Sequence, residues 1–151
     1  MARLWSKQFL SYLAGFVDGE GTIGVYKRKK SIHHNGISFN PYLAISNSNL
    51  QVLEYIAEQI GFGSVRNKKT ISGHFGKKPV YSYWISNANS RKVIRAIHPY
   101  LIVKKEQAKL ILEMPKRGGT YNPESEKLRR EEQEKVYLKI KEIQGYKGVL
   151  K

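Results

Sequence analysis

Residues Leu10 to Gly21 read LSYLAGFVDGEG. Phe9, Leu13, Phe16 and Val17 recur at three- and four-residue spacing and line one apolar stripe of a helix. Ser6 stands where an N-cap belongs. With Ser6 there, Trp5 and Leu10 fall at the positions of a hydrophobic staple, and Gly19 supplies the glycine that commonly ends a helix. The expected helix is short, about Lys7 to Asp18. Ser11, Gly15 and Gly19 lie four residues apart and make a stripe almost bare of side chains, which implies close approach of a partner helix. Asp18 and Glu20 fall at the C-terminal end, where the helix dipole already places negative charge, so both need compensation. A cap or turn hydrogen bond would satisfy Asp18. Glu20, past the glycine, is free to point toward a divalent cation.

Composition narrows the partner. The chain has 151 residues, enough for one domain with a real core, and a formal net charge of +15 from 27 Lys and Arg against 12 acids. That imbalance points to a polyanion, with nucleic acid first. No long apolar run, secretory signal or terminal basic amphipathic helix supports a membrane, and nothing points to a small-molecule substrate. The lack of Cys excludes disulfides and Cys-ligated metal, and fits an intracellular protein. The four His residues have no metal-ligand spacing. No Asp or Glu occurs from Gly21 to Leu53 or from Gln59 to Lys105, although these spans hold fourteen Lys or Arg. A solvated surface mixes signs, so acid-free spans suggest a surface kept positive for phosphate.

After Gly21 the hydrophobic period changes to two. Ile23 and Val25 alternate with Gly24, Tyr26 and Arg28, so Thr22 to Arg28 reads as a half-buried strand whose outward row continues to Lys30. The basic loop of Lys29 to Gly36 holds His33 and His34, a solvated or phosphate-facing pair. A second strand, about Ser38 to Ser46, buries Leu43 and Ile45 and turns Asn40, Tyr42, Ala44 and Ser46 outward, with Pro41 marking an edge or bulge. Ser48 and Gln51 form a capping-box pair for a helix carrying Leu50, Leu53, Ile56, Ala57 and Ile60 and closed by Gly61. Ser64 to Lys68 and Pro79 to Ser86 read as a hairpin across the loop Lys69 to Lys78, with Val65 buried. Its second strand has two competing parities. We place Tyr81, Tyr83 and Ile85 inside, which leaves Ser82 and Trp84 outward with Arg66 and Lys68. Ser90 caps a helix through Ile97 that Pro99 stops, and another runs from about Val103 to Met114. Asn122-Pro123 opens a last helix carrying Leu128, Val136, Ile140 and Ile143, its charges forming a solvated face.

The run Leu13-Ala14-Gly15-Phe16-Val17-Asp18-Gly19-Glu20-Gly21 closely resembles the nine-residue signature of the LAGLIDADG homing endonucleases. It combines an apolar stretch, a small-residue pair and an acid-small-acid-Gly ending. The resemblance implies an α+β fold, an αββαββα half with a saddle-shaped antiparallel sheet, over a core of about residues 5–114. A C-terminal helical extension of about residues 122–145 would complete a single domain spanning 1–151. The pattern occurs once, and single-motif members are homodimers whose motif helices cross at the dyad, which assigns Ser11, Gly15, Gly19 and Asp18 to the interface.

Carried over residue by residue, Glu20 is the metal-binding acid, assisted by the Gly19 carbonyl, and Asp18 caps the helix pair. Asn47 matches a residue that orients water, or simply caps the next helix. Lys104 matches the basic residue beside the cleavage centre, with Lys105 the alternative. Mg²⁺ is the implied metal, and Ca²⁺ is expected to support binding without cleavage. The implied activity is an intron-encoded, site-specific double-strand break in a long pseudo-palindromic DNA. Gly24, Tyr26, Arg28, Lys30, Asn40, Tyr42, Ser46, Arg66, Lys68, Ser82 and Trp84 are the expected DNA contacts. The implied setting is a prokaryotic or archaeal cytoplasm, or an organelle. An RNA-binding maturase, or a non-cutting DNA-binding protein of the same fold, is the alternative.

Overall fold

The computed structural model describes residues 4–29, 36–68, 79–116 and 122–145. Lys30, His33, His34, the hairpin loop 69–78 and most of the connector after Pro115 lie outside them. In chain order the elements are α1 (Lys7–Glu20), β1 (Gly21–Lys29), β2 (Ile37–Asn47), α2 (Leu50–Ile60), β3 (Ser64–Lys68), β4 (Val80–Ser86), α3 (Asn87–Ile97), a 3-10 turn (His98–Tyr100), α4 (Lys105–Glu113) and α5 (Pro123–Ile143). The four strands form an antiparallel sheet in the order β1-β2-β4-β3.

Ser6 caps α1 as expected, its hydroxyl accepting from the Phe9 N–H at 3.1 Å. The other end differs from expectation. The helix continues through Gly19 to Glu20 and stops at Gly21, which turns extended as the first residue of β1 while its N–H bonds to the Val17 carbonyl. A Cβ on Gly21 would lie 2.8 Å from the Val17 Cα, so only glycine lets the strand leave the helix this tightly. Gly19 instead stays helical, and a side chain there would meet open space.

One face of the sheet is closed by helices. Ile23, Val25, Phe39, Leu43, Ile45, Tyr83 and Ile85 are buried there with Phe9, Leu13 and Val17 of α1, Leu53, Ile56 and Ile60 of α2, and Val93, Ile94 and Ile97 of α3. The parity chosen for β4 is the one found: Tyr83 and Ile85 are fully buried and Tyr81 packs against them. Val65 is only half-buried. Pro41 lies in an uninterrupted β2, paired with Val25 on one side. On the other side β4 pairing reaches only Tyr42, and the Pro41 carbonyl accepts from the Ser90 hydroxyl at 3.1 Å. A strand residue directs its N and C=O to the same edge, so the missing N–H falls where no partner strand needs it.

Three further helix boundaries differ from the sequence expectation. Asn49 caps α2, not Ser48: its Oδ1 accepts from the Val52 N–H, and Asn47 Oδ1 accepts from the Asn49 N–H at 2.8 Å. Asn is at least as strong a cap as Ser, and the pair extends the turn by one residue. Ser90 lies inside α3, where its buried hydroxyl ties Pro41 and Asn87 to the helix. Helix α4 begins at Lys105, because the three residues before it are held by another element.

Asn122 and Pro123 open α5 as expected. The helix docks on the sheet: Phe39 and Tyr137 rings are 5.4 Å apart, and Gln144 Nε2 donates to the Ile23 carbonyl at 3.2 Å. Ile140 joins the common core, whereas Leu128, expected on the same apolar face, is exposed.

Candidate functional site

Two acids two residues apart meet opposite fates at the end of α1. The Asp18 carboxylate turns to α4 and accepts from the N–H groups of Ile102 at 2.8 Å, Val103 at 3.2 Å and Lys104 at 2.9 Å. It thus occupies the positive N-terminal end of α4, which offsets its unfavourable place at the negative end of α1. Burial pushes its carboxyl up, but these three donors and the Lys104 charge outweigh that and hold it below the usual carboxylate range. Within its own chain Asp18, expected at a helix-pair interface, makes these bonds to the start of α4. Glu20, in the last turn of α1 rather than beyond it, is exposed.

Lys104 joins this end of α1, its Nζ donating to the Asp18 carbonyl at 2.5 Å. Of the two lysines left open by the sequence, Lys104 is the one that reaches here. Lys105 is exposed on the first turn of α4. Asn47 lies at the same end of the sheet, since Gly21 pairs with Ile45 two residues before it. Its Oδ1 serves the α2 cap, leaving the amide nitrogen as the part that could orient water.

The charged tip adjoins a bare surface. Ser11, Gly15 and Gly19 are exposed, a Cβ at either glycine meets nothing within 4 Å, and the Ser11 hydroxyl donates to its own helix at Lys7.

The second face of the sheet is left open by the helices. Strand register places Gly24, Tyr26 and Arg28 of β1 opposite Tyr42, Asn40 and Ser38 of β2, then Ala44 and Ser46 opposite Trp84 and Ser82 of β4, then Arg66 opposite Ser82, with Lys68 following. The described residues expected to contact DNA therefore share one face. Arg28, Arg66 and Lys68 are exposed on it. Two of the expected contacts are covered in this chain. Gly24 is buried beneath the Tyr42 ring, whose Cε1 would lie 2.8 Å from a Cβ there, and Ser82 is only 9% exposed. Alternation gives a residue's face but not what its neighbours lay over it. Asn40 uses part of its amide along the same strand, donating to Ser38 Oγ at 3.0 Å.

Among the described residues, no three His, Cys, Asp or Glu side chains gather to hold a metal. One chain offers the exposed Glu20 carboxylate and the carbonyls at the end of α1, which have no helical N–H partners. That hard-oxygen set suits Mg²⁺, which binds through one or two carboxylates and completes its shell with phosphate and water. No helix among the described residues is long and apolar enough to cross a membrane.

The comparisons agree with this architecture. A family model described as LAGLIDADG endonuclease matches residues 13–112. DNA endonuclease I-CreI of Chlamydomonas reinhardtii is 29% identical over 119 residues, spanning 73% of this chain and 64% of that protein. The structure of the homing endonuclease I-CvuI with its target, in the presence of Ca, superposes with a TM-score of 0.71 at 21% identity, covering 89% of this chain and 80% of that one. The archaeal intron-encoded homing endonuclease I-Vdi141I, complexed with DNA, superposes with a TM-score of 0.68 at 20% identity, covering 91% and 86%. With the signature at the end of α1, the sheet built on it and a family model matched across all but the termini of that core, the chain belongs to the LAGLIDADG endonuclease family.

Proposed function

We propose that this chain is a site-specific DNA endonuclease that acts as a homodimer and uses Mg²⁺ to break both strands of a long pseudo-palindromic duplex. The observation that carries this reading is an exposed acid and a lysine brought together at the tip of α1, next to a sheet face that is basic and free of acids. The described residues and the C-terminal helix act as one domain, supported by the common core that runs from Phe9 to Ile140.

Two cuts need two tips. The bare Ser11, Gly15 and Gly19 stripe supports a dimer through α1, which brings two copies of Glu20 side by side. Glu20 and the Gly19 carbonyl would hold the metal, which when bound lowers the pKa of water and neutralises charge on the phosphate. Lys104, held at the tip by the Asp18 carbonyl, is positioned to stabilise charge that develops on the phosphate oxygens. The Asn47 amide orients the attacking water. Water adds to phosphorus, the bond to one deoxyribose oxygen breaks, and that oxygen takes up a proton. The open sheet face seats the duplex: Arg28, Arg66 and Lys68 contact phosphate or guanine, and Asn40 contacts phosphate or adenine.

The test uses a duplex spanning the intron-free insertion site of the host gene, or duplexes enriched by binding from a randomised pool. With Mg²⁺ both strands are cut close to the dyad. With Ca²⁺ the same duplex is bound and stays intact. Binding without cleavage at any Mg²⁺ concentration would favour a non-cutting DNA-binding protein, and preference for structured RNA over the duplex would favour a maturase.

A further inference from the structure

The centre of the open sheet face is aromatic rather than charged. Tyr42 and Trp84 stack face to face, with centroids 4.4 Å apart and planes 9° from parallel, and Tyr26 packs beside both at 6.1 and 6.0 Å. The three residues come from three adjacent strands. Gly24 is what allows the arrangement, since the Tyr42 ring atoms Cε1 and Cζ lie 2.8 and 2.9 Å from where a Cβ would stand. All three side chains are half-buried, so they are held by one another yet still present ring surface. Their neighbours on the face, Arg28, Asn40, Arg66 and Lys68, are the polar and basic residues.

We propose that this cluster reads thymine through its 5-methyl group in the major groove of each half-site, a specificity that rests on the double-stranded DNA reading above. The major groove admits a β-ribbon, and among the four bases thymine alone shows an apolar group on that edge. A locked ring surface gains by covering a methyl. Against the amino group of cytosine or adenine it would leave a donor desolvated and unpaired. The cluster is also unsuited to gripping an unstacked base between its rings, because Tyr42 and Trp84 already fill the space between each other. The flanking basic residues supply the phosphate contacts that bring the groove to the rings.

The experiment takes duplexes enriched from a randomised pool by the wild-type chain in Ca²⁺ and replaces each thymine by uracil, one symmetric position at a time. Deletion of the methyl is expected to weaken binding roughly four-fold per half-site at one position, the factor for one buried methyl group. In Trp84→Ala, and separately in Tyr42→Ala, that difference between thymine and uracil should vanish while other positions keep their preferences. If no position responds to uracil, or the response survives both substitutions, the methyl assignment is overturned and DNA recognition itself stands. A pool that never becomes enriched in duplex overturns both.

Discussion

The tip of α1 and the open face of the sheet are adjacent but built from opposite materials. The tip concentrates two carboxylates, Asp18 and Glu20, in a chain whose next acid is Glu54. The face carries Arg28, Arg66, Lys68 and three packed rings, and no acid at all. Negative charge at the tip repels phosphate unless a cation sits between them, whereas the face attracts phosphate unaided. The contrast teaches that rate and affinity should separate by region: changes at the tip alter cutting, and changes on the face alter binding.

The sharpest break of that comparison is Glu20→Gln. It removes the metal-holding charge with little change of shape, so Mg²⁺-dependent cleavage should fall by about a thousand-fold or more. Affinity for the same duplex, measured in Ca²⁺, should stay within a few fold or tighten as repulsion is relieved. Wild-type cutting by Glu20→Gln would remove Glu20 from the mechanism. Glu58→Gln, on the far helix α2, should change neither quantity.

Gly15→Leu tests whether the tip works in pairs. A Cβ there meets nothing within 4 Å in its own chain and the position is exposed, so the monomer should fold normally. At a close helix crossing it overpacks, and the dimer dissociation constant should rise about ten- to a hundred-fold in sedimentation or light scattering. Unchanged assembly, or a wild-type monomer at micromolar concentration, would move the dimer interface elsewhere.

The link between Asp18 and α4 should respond to acid. Its folded-state pKa lies below the ordinary carboxylate value of 3.8, so the stabilisation it gives is present above that value and is lost as pH falls through the folded pKa. Amide exchange at Ile102, Val103 and Lys104 should therefore speed up in acid relative to the core of α3. Asn at position 18 should speed it several-fold already at neutral pH, because a neutral amide is the weaker acceptor. Protection unchanged in Asp18→Asn would show that this contact does not hold the segment.

The smallest effect is expected on the face. Arg66→Ala should weaken binding a few fold and reduce the salt dependence of binding by about one counterion, while leaving the cleavage rate of the saturated complex unchanged. Loss of affinity equal on every sequence would make Arg66 a phosphate contact only. Loss confined to one base position would make it a reader.

Periodicity made much of this molecule legible in advance. Three- and four-residue spacing located α1, alternation assigned the two faces of β1 and β2 while leaving two parities open for β4, and Asn122-Pro123 marked the start of α5, because each depends on residues close in sequence. The signature from Leu13 to Gly21 identified the family and drew attention to Glu20 for the same reason. What the tertiary structure decided depends on residues distant in sequence. Asp18 is bound by N–H groups 84 to 86 residues away, which no local pattern can announce. Lys104 rather than Lys105 reaches the tip because that same contact sets where α4 begins. Gly24 is covered by a ring from the neighbouring strand, and Leu128 is left out of a core that Ile140 enters, since burial depends on what packs above a residue as well as on the side it faces.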